Sequence, residues 1–185
     1  MLHTAPSLLK TPRLNLRFLQ SEDALSILTL LKSSQVRLGT THWPDNLDIS
    51  YVRRWIKEVR AQKEQGVALV YAVCDHRQRL MGEISLVEIY ETTANLTYWL
   101  GQSFWGRGYT TEAGEALLAV AMNLGFHKVT ALHLATNTAS ERVLKKLEFD
   151  FIEMQERSHR GVMKSFKFHS IDLRTRLSTT DFVLA

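Results

Sequence analysis

Residues 99–113, WLGQSFWGRGYTTEA, form a glycine-punctuated turn that leaves a β-like segment and enters a helical one. A turn of this kind points several backbone N–H groups at one spot, beside the positive end of a helix dipole, which is how proteins hold phosphates. Gly106 and Gly108 lack the Cβ atoms that would keep a phosphate away from the backbone, and Arg107 adds a positive charge. The stretch therefore predicts a binding site for a phosphorylated cofactor.

The spacing of the glycines excludes two common phosphate-binding patterns. The chain contains no Gly-x-x-x-x-Gly-Lys-Ser/Thr, the pattern of a nucleoside-triphosphate loop. Thr111 stands where the dinucleotide pattern Gly-x-Gly-x-x-Gly needs its third glycine. The turn must therefore serve another cofactor.

Length and composition indicate one domain with a sizeable core. The chain has 185 residues, of which 45% are hydrophobic and 23% are charged, as is ordinary for a globular protein. We expect a single domain over residues 1–185, with its core at about residues 11–170 between a short N-terminal extension and a C-terminal tail. The lone Cys74 lies in an apolar run, which favours a buried structural thiol over a nucleophile.

Charge and hydropathy exclude several classes of partner. No run approaches the roughly 18 consecutive apolar residues of a membrane span, and the start lacks a signal-peptide pattern, so a cytoplasmic location without a membrane partner is expected. The net charge is +4, but the basic residues are dispersed, apart from five in one predicted helix, and no nucleic-acid-binding motif occurs. We interpret that helix face as solvated, with attraction of an anionic cofactor or partner as the alternative. The histidines lack metal-ligand spacing, so no metal site is expected.

Hydrophobic periodicity predicts a mixed α/β (α+β) order. Three successive strands over residues 67–75, 80–90 and 94–101 have short polar links, which suggests an antiparallel meander that ends at the glycine turn. The other predicted elements are a strand at 14–18, a helix capped by Ser21, an irregular segment at 39–46, a helix from Asp48 or Ser50 to Gly66, a helix from the turn to Gly125, a strand at 128–136, a short helix with a capping box from Thr138 to Glu141, and strands at 149–155 and 163–169.

Four separated motifs, in this order, resemble those of one family. They are TPRLNLR at 11–17, GEI at 82–84, YWL at 98–100 joined to the glycine turn, and NTASERVLKKLEF at 137–149. The chain resembles the GNAT N-acetyltransferases, and within them the RimJ/RimL-like branch of ribosomal-protein N-terminal acetyltransferases. The resemblance implies a mixed, mostly antiparallel sheet with helices on both sides, splayed at its two central strands. It also implies acetyl-CoA as the cofactor and transfer of its acetyl group to an amine by direct attack in a ternary complex.

The resemblance assigns the cofactor to particular residues. The strand end, at Trp99 and Leu100, is where the family pairs its backbone with pantetheine and polarises the thioester carbonyl, a role that suits a fixed N–H group. Asn137, at the splay, is expected to hold the pantetheine arm through its side-chain amide. The CoA pyrophosphate loop carries over onto Trp105, Gly106, Arg107, Gly108, Tyr109 and Thr110, with Thr111 next to it. Thr110 replaces the usual Gly or Ala, so its side chain must point away from the phosphates.

Departures from the family pattern affect the chemistry. Leu144 stands where many members have a tyrosine that protonates the leaving thiolate. Ser140 occupies the position that the RimL-like branch offers for this role; the alternatives are solvent water as the proton donor and a serine that only satisfies backbone donors. Glu148 replaces a glycine just past the same helix, which puts a left-handed turn there in doubt.

The acceptor amine must be neutral to attack. A protein α-amine titrates near 8 and a lysine near 10.4, so the α-amine needs less help. Glu83 is the candidate base or water-holding residue, and the alternative is a solvent-facing strand position. His42, Trp43 and Tyr98 are candidate acceptor contacts, although Trp43 can instead pack beneath its loop. His133 is expected to be a core histidine.

Three functions remain open from the sequence. The first is an acetyl-CoA-dependent N-acetyltransferase acting on a protein N-terminal α-amine or, alternatively, on a small-molecule amine. The second is an acyl-CoA-binding sensor without turnover, favoured by Leu144 and by Lys164, which replaces an acid of the RimL-like branch. The third is a nucleotide-binding regulator that uses the same turn. The chain is expected to be a monomer or a homodimer, since strand edges can pair two copies.

Overall fold

A computed structural model describes residues 2–32, 34–40 and 43–176. Its strands are β1 (Leu8–Lys10), β2 (Leu14–Phe18), β3 (Leu69–Asp75), β4 (Leu80–Tyr90), β5 (Thr93–Leu100), β6 (Lys128–Leu134), β7 (Asp150–His159) and β8 (Val162–Asp172). Its α-helices are α1 (Ala24–Leu31), α2 (Ser34–Leu38), α3 (Ile49–Gln65), α4 (Tyr109–Asn123) and α5 (Thr138–Lys146), with short 3₁₀ turns at Leu2–Thr4, Ser21–Asp23 and Gln102–Phe104.

The strands form a single eight-stranded sheet in the order β1-β2-β3-β4-β5-β6-β8-β7. All neighbouring strands are antiparallel except β5 and β6, which run parallel. These two pair only between residues 93–95 and 128–130, and beyond Asn95 they separate. The predicted mixed, mostly antiparallel fold is therefore confirmed, and the gap between β5 and β6 is its splay.

Two hydrophobic cores lie on opposite faces of the sheet. Because side chains alternate along a strand, β3 sends Leu69, Tyr71 and Val73 to the face covered by α4 and α5, and Val70, Ala72 and Cys74 to the face covered by α1 and α3. Each fully buried side chain of leucine size stabilises the fold by about 2 kcal/mol. Burial raises the pKa of the Cys74 thiol to about 11, as suits the inert structural thiol predicted from the sequence. Among the described residues, no helix has the length and apolar character that crossing a membrane requires.

The structured core extends beyond the boundaries expected from the sequence. Leu2 and Leu9 are buried in the core formed with α4, although they lie before residue 11, and Leu173 is buried beyond residue 170. Leu9 reaches this position because β1 pairs with β2. The expected N-terminal extension therefore contributes to the core.

Three local predictions are corrected by the structure. Ser21 begins a 3₁₀ turn whose preceding residue, Gln20, donates its backbone N–H to Asp23, so it does not cap α1. The cap of α5 is Asn137 in place of the predicted box from Thr138. Glu148 adopts a left-handed φ of +64° despite its Cβ, so the turn there is left-handed after all.

Candidate active site

The glycine turn lies between the end of β5 and the start of α4. Gly106 and Gly108 have φ values of +73° and +78°, in the region where a residue with a Cβ is strained by about 1–2 kcal/mol. Gly108 is the residue that precedes α4. The first N–H groups of an α-helix have no partner within the helix, so those of Tyr109, Thr110 and Thr111 are directed to the turn and can bind an anion.

An arginine that the sequence analysis missed holds this turn from one side. The Arg13 Nη1 donates to the Arg107 carbonyl at 2.9 Å, and its guanidinium lies 4.7 Å from the centre of the Tyr109 ring. The Arg13 Nε and backbone N–H donate to the Glu112 carboxylate at 2.6 and 2.8 Å, and Thr11 donates to it as well. A bare carboxylate in the first turn of α4 would repel a phosphate, so this pairing neutralises Glu112 and keeps the site favourable to anions.

The turn lines a cavity of about 320 Å³, which is within the range of small-molecule sites. All but one of the predicted cofactor residues line it: Trp99, Leu100, Trp105, Gly106, Gly108, Tyr109, Thr110, Thr111, Asn137 and Ser140. The exception is Arg107, whose side chain is exposed outside the cavity and whose carbonyl serves Arg13. The residues lie together because α5 packs across the splay from the end of β5.

Two basic residues on α5 also line this cavity and were missed from the sequence. Arg142 and Lys146 are one helical turn apart, so both side chains lie on the same face of α5. Their i,i+4 spacing on a predicted helix was the signal that could have identified them. With the two left-handed glycines and the N-terminus of α4, this set fits the phosphates of CoA.

Two hydrogen bonds fix the ends of the elements around the splay. The Trp105 Nε1 donates to the Leu100 carbonyl at 2.7 Å, which ties the turn to the end of β5. The Asn137 Oδ1 accepts from the Ser140 backbone N–H at 3.1 Å and so caps α5. Because this oxygen is used in the cap, contact with a pantetheine arm would come from the Asn137 amide nitrogen.

A second cavity, of about 900 Å³, opens next to the first. Its lining includes Glu83, Trp55, Arg157 and His159. Six residues line both cavities: Gly39, Thr40, Tyr98, Trp99, Asn137 and Ser140. The two cavities therefore meet beside the gap between β5 and β6, where a thioester in the first would face an amine in the second.

Glu83 is buried in the wall of the second cavity. Its side chain is 4% exposed, so the solvent-facing alternative considered from the sequence is wrong. The carboxylate accepts from the Trp99 Nε1 and from the Ser85 hydroxyl, both at 2.8 Å. Burial raises the pKa of Glu83, and the two hydrogen bonds oppose that rise. A carboxyl with a raised pKa beside a cavity is suited to accept a proton.

The candidate acceptor contacts have different environments. Trp43 is 1% exposed and packs against Trp55 and Trp99, with ring centres 4.7 and 6.3 Å away. It lines neither cavity, so its burial agrees with the alternative in which it packs beneath its loop. His42 lies outside the described residues. Tyr98 projects to the α5 side, where its hydroxyl donates to the Ser140 carbonyl at 3.4 Å, and burial raises its pKa to about 12. It is therefore closer to the cofactor side than the sequence suggested.

Three further side chains bear on proton transfer. Leu144 is 1% exposed and provides no proton donor at the position of the family's tyrosine. His133 is buried but also lines the second cavity, so it is not enclosed in the core as expected from the sequence, and its Nε2 lies 3.1 Å from the Nε2 of His169. Burial lowers the pKa of His133. Ser140 lines both cavities and remains the candidate donor to the thiolate.

The chain matches a family model and known structures. The model of the acetyltransferase (GNAT) domain matches residues 13–150, whereas no curated protein sequence matches the chain. Among solved structures, RimL, the ribosomal L7/L12 α-N-protein acetyltransferase, in complex with coenzyme A superposes with a TM-score of 0.82 at 18% identity, covering 89% of this chain and 97% of that one. Mycobacterium smegmatis RimJ in complex with CoA-disulfide gives 0.80 at 19% identity over 94% of this chain and 90% of that one.

A third structure widens the range of similar proteins. The microcin C7 self-immunity acetyltransferase MccE, in complex with acetyl-CoA and AMP, gives a TM-score of 0.80 at 19% identity, covering 88% of this chain and 93% of that one. At these low identities the TM-scores show a shared fold. The family model covers most of the chain, including the glycine turn and α5. The chain therefore belongs to the GNAT acetyltransferase family and is an N-acetyltransferase with acetyl-CoA as its cosubstrate.

Proposed function

We propose that the protein transfers the acetyl group of acetyl-CoA to a protein N-terminal α-amine, by direct attack within a ternary complex. The observation that supports this most is the meeting of the two cavities at Tyr98, Trp99 and Ser140, beside the splay. An amine and a thioester that enter from separate cavities need no covalent enzyme intermediate. Holding two reactants in this way converts a bimolecular step into an effectively unimolecular one.

The acid–base groups support an α-amine more than a lysine. An α-amine titrates near 8, so removal of its proton at neutral pH needs only a weak base, whereas a lysine near 10.4 needs a strong one. Glu83 is a single carboxyl whose pKa is raised by burial. A base of this strength suits the removal of a proton from an α-amine better than the removal of one from a lysine. The size of the second cavity, about 900 Å³, also leaves room for several residues of an extended chain.

Ser140 is proposed to give a proton to the departing thiolate. Ser140→Ala is expected to lower kcat about tenfold or more, with the KM for acetyl-CoA unchanged. Thr138→Ala, in the same helical turn but outside both cavities, is the matched control. Loss of kcat in Tyr98→Phe with none in Ser140→Ala would instead assign the role to the tyrosine, whose hydroxyl lies 3.4 Å from the Ser140 carbonyl.

The acceptor can be identified in cells. Mass spectrometry of protein N-termini from cells with and without the gene should show a small set of N-termini whose acetylation is lost. RimL, as its name states, acts on an α-amine of ribosomal L7/L12, whereas the MccE structure is a complex with acetyl-CoA and the small molecule AMP. Small-molecule amines are therefore the alternative acceptors. An unchanged N-terminal proteome, together with thiol release from acetyl-CoA by a small amine, would favour that alternative.

A further inference from the structure

A chain of side-chain hydroxyls connects Glu83 to the surface of the second cavity, which the proposed function assigns to the acceptor amine and which is called the acceptor cavity from here on. The Ser85 Oγ donates to the Glu83 Oε1 at 2.8 Å, and it lies 2.8 Å from the Thr97 Oγ1 on the neighbouring strand. Ser85 and Thr97 are opposite one another in the β4–β5 register, which fixes their contact. Ser85 is fully buried, whereas Thr97 is exposed and lines the cavity.

The number of protons determines which hydroxyl donates in each of these hydrogen bonds. A hydroxyl has one proton to donate, and that of Ser85 is given to Glu83. Thr97 must therefore donate its own proton to Ser85. Both lone pairs of the Thr97 oxygen are then directed away from Ser85, and a group inside the cavity can donate a hydrogen bond to them.

Thr97 is close to the point where the two cavities meet. It lies on β5 between Asn95, the last residue of that strand paired with β6, and Trp99, which lines both cavities. Its side chain projects to the same face of the sheet as that of Trp99, because the two residues are two positions apart on the strand. Glu83 itself is only 4% exposed, so an acceptor in the cavity reaches Thr97 more readily than the carboxylate.

We propose that the acceptor ammonium gives its proton to Thr97, and that Ser85 relays a proton onward to Glu83. One N–H bond of the ammonium breaks as a new O–H bond forms on Thr97. The original Thr97 proton moves to Ser85, and the original Ser85 proton moves to the Glu83 Oε1. Both hydroxyls end with one proton each, the amine becomes neutral and nucleophilic, and the carboxylate becomes a carboxylic acid. Release to water in the cavity follows the same path in reverse.

Among the described residues, the hydroxyls of Ser85 and Thr97 form the hydrogen-bonded path from the buried Glu83 Oε1 to an exposed side chain in the cavity. The buried side chains that α1 and α3 place on this face of the sheet are apolar. The titratable and charged groups on this face of the sheet are Arg17 on β2, which is paired with Asp23, and Cys74 on β3. Those that line the cavity with Glu83 are Glu88, Tyr98, His133, Arg157 and His159. Burial raises the pKa of Glu83, and the hydrogen bonds from Trp99 and Ser85 oppose that rise.

Thr97→Val tests the relay, because it removes the hydroxyl while keeping the β-branched shape and the Ser85–Glu83 bond. With an α-amine acceptor, kcat/KM is expected to fall about tenfold or more at pH 6.5, where the amine is protonated, and to return to within about twofold of wild type at pH 9.5. Thr97→Ser should restore wild-type behaviour. Thr93→Val, on the same strand and face but outside the chain of hydroxyls, should have no effect.

A loss in Thr97→Val that is equal at all pH values, or an unchanged rate, would overturn the relay. The relay rests on the proposed function, and wild-type turnover tests that function separately. A second measurement does not require turnover: the infrared carboxyl band that disappears in Glu83→Gln should titrate at higher pH in Thr97→Val than in wild type, because Ser85 loses the donor that strengthens its own hydrogen bond to the carboxylate. An identical titration in Thr97→Val and Thr93→Val would also contradict the relay.

Discussion

At the scale of single residues, the proposed role of Glu83 as proton acceptor conflicts with the stability of the fold, because its carboxylate is buried. Its carboxyl is buried among apolar side chains from α1 and α3, with hydrogen bonds from Trp99 and Ser85. Removing a carboxylate from water is unfavourable even when it is hydrogen-bonded. A role as proton acceptor explains why a charged residue stands at a position that packing alone would give to an apolar one.

Glu83→Gln is expected to lose activity and gain stability. Near pH 7, kcat/KM should fall about a hundredfold, since the proton acceptor is gone. Because folding raises the pKa of Glu83, wild-type stability declines as pH rises from the unfolded-state value through the folded-state value, and the glutamine variant lacks this decline. The Tm of Glu83→Gln should therefore exceed that of wild type at pH 8, with the difference disappearing at pH 4.

Glu91→Gln, in the exposed turn between β4 and β5, is the control for both measurements. It should leave both rate and Tm near wild type. A Glu83→Gln variant that keeps wild-type kcat/KM at pH 7 would remove Glu83 from the mechanism, whatever its stability.

Residues that belong to local motifs were predictable, and residues that act over long distances were not. Gly108, Asn137 and Ser140 stand in short segments whose chemistry is readable from their neighbours. The contact between Arg13 and Glu112 joins residues 99 positions apart, so no local sequence pattern predicts it. Glu83 was recognisable as a candidate base, but its bond to Trp99 depends on the β4–β5 register, which only the fold reveals.

At the scale of elements, the turn into α4 depends on left-handed backbone at its glycines. A Cβ on Gly108 would face the strain of a φ of +78° and lie 3.5 Å from the Arg13 guanidinium, beside the expected phosphates. Gly125, after α4, has a φ of +83° and open space around its missing Cβ. The two glycines therefore form a matched pair that differs in position and not in backbone strain.

Gly108→Ala is expected to raise the KM for acetyl-CoA about tenfold or more, because the added methyl group keeps the pyrophosphate from the backbone N–H groups. Gly125→Ala should lower the Tm by a similar amount, since each variant costs about 1 kcal/mol or more of strain, but leave that KM unchanged. Steady-state kinetics and thermal denaturation of both variants make the comparison. Equal KM values in the two variants would argue against phosphate binding at this turn.

The turn between β7 and β8 is tied to the segment that precedes α3. Arg160 donates to the Trp43 carbonyl at 2.7 Å, to the Arg37 carbonyl at 3.1 Å and to the Asp45 carboxylate at 2.7 Å. His159 and Gly39, from the two connected segments, both line the acceptor cavity. Arg160 therefore holds two walls of that cavity together.

Arg160→Ala is expected to raise the KM for the acceptor about tenfold and the KM for acetyl-CoA much less, because the turn and the α5 residues assigned to the phosphates lie on other elements, and only Gly39 and Thr40 of the described part of the tied segment line both cavities. Arg174→Ala, which removes an exposed ion pair with Asp172, is the control and should change neither constant. If the KM for acetyl-CoA rises in parallel with that for the acceptor in Arg160→Ala, the connection supports the whole fold and not the acceptor cavity.

At the scale of the whole molecule, one interruption of the sheet organises the site. β5 and β6 pair over three residues and then part, so the sheet that separates the two hydrophobic cores is open at one place. The cofactor cavity and the acceptor cavity meet there. The sequence predicted the splay through a family resemblance, whereas the size and lining of the acceptor cavity required the packing of β7, β8 and α3.

The central claim is acetyl transfer to a protein α-amine, and one experiment tests it most directly. Purified protein is incubated with acetyl-CoA and two peptide sets, one with free N-termini and blocked lysines and one with blocked N-termini and free lysines. We expect mass spectrometry to show acetyl groups on the free α-amines, with one thiol released for each. Binding of acetyl-CoA without thiol release for any peptide or small amine, or acetylation restricted to lysines, would contradict the account.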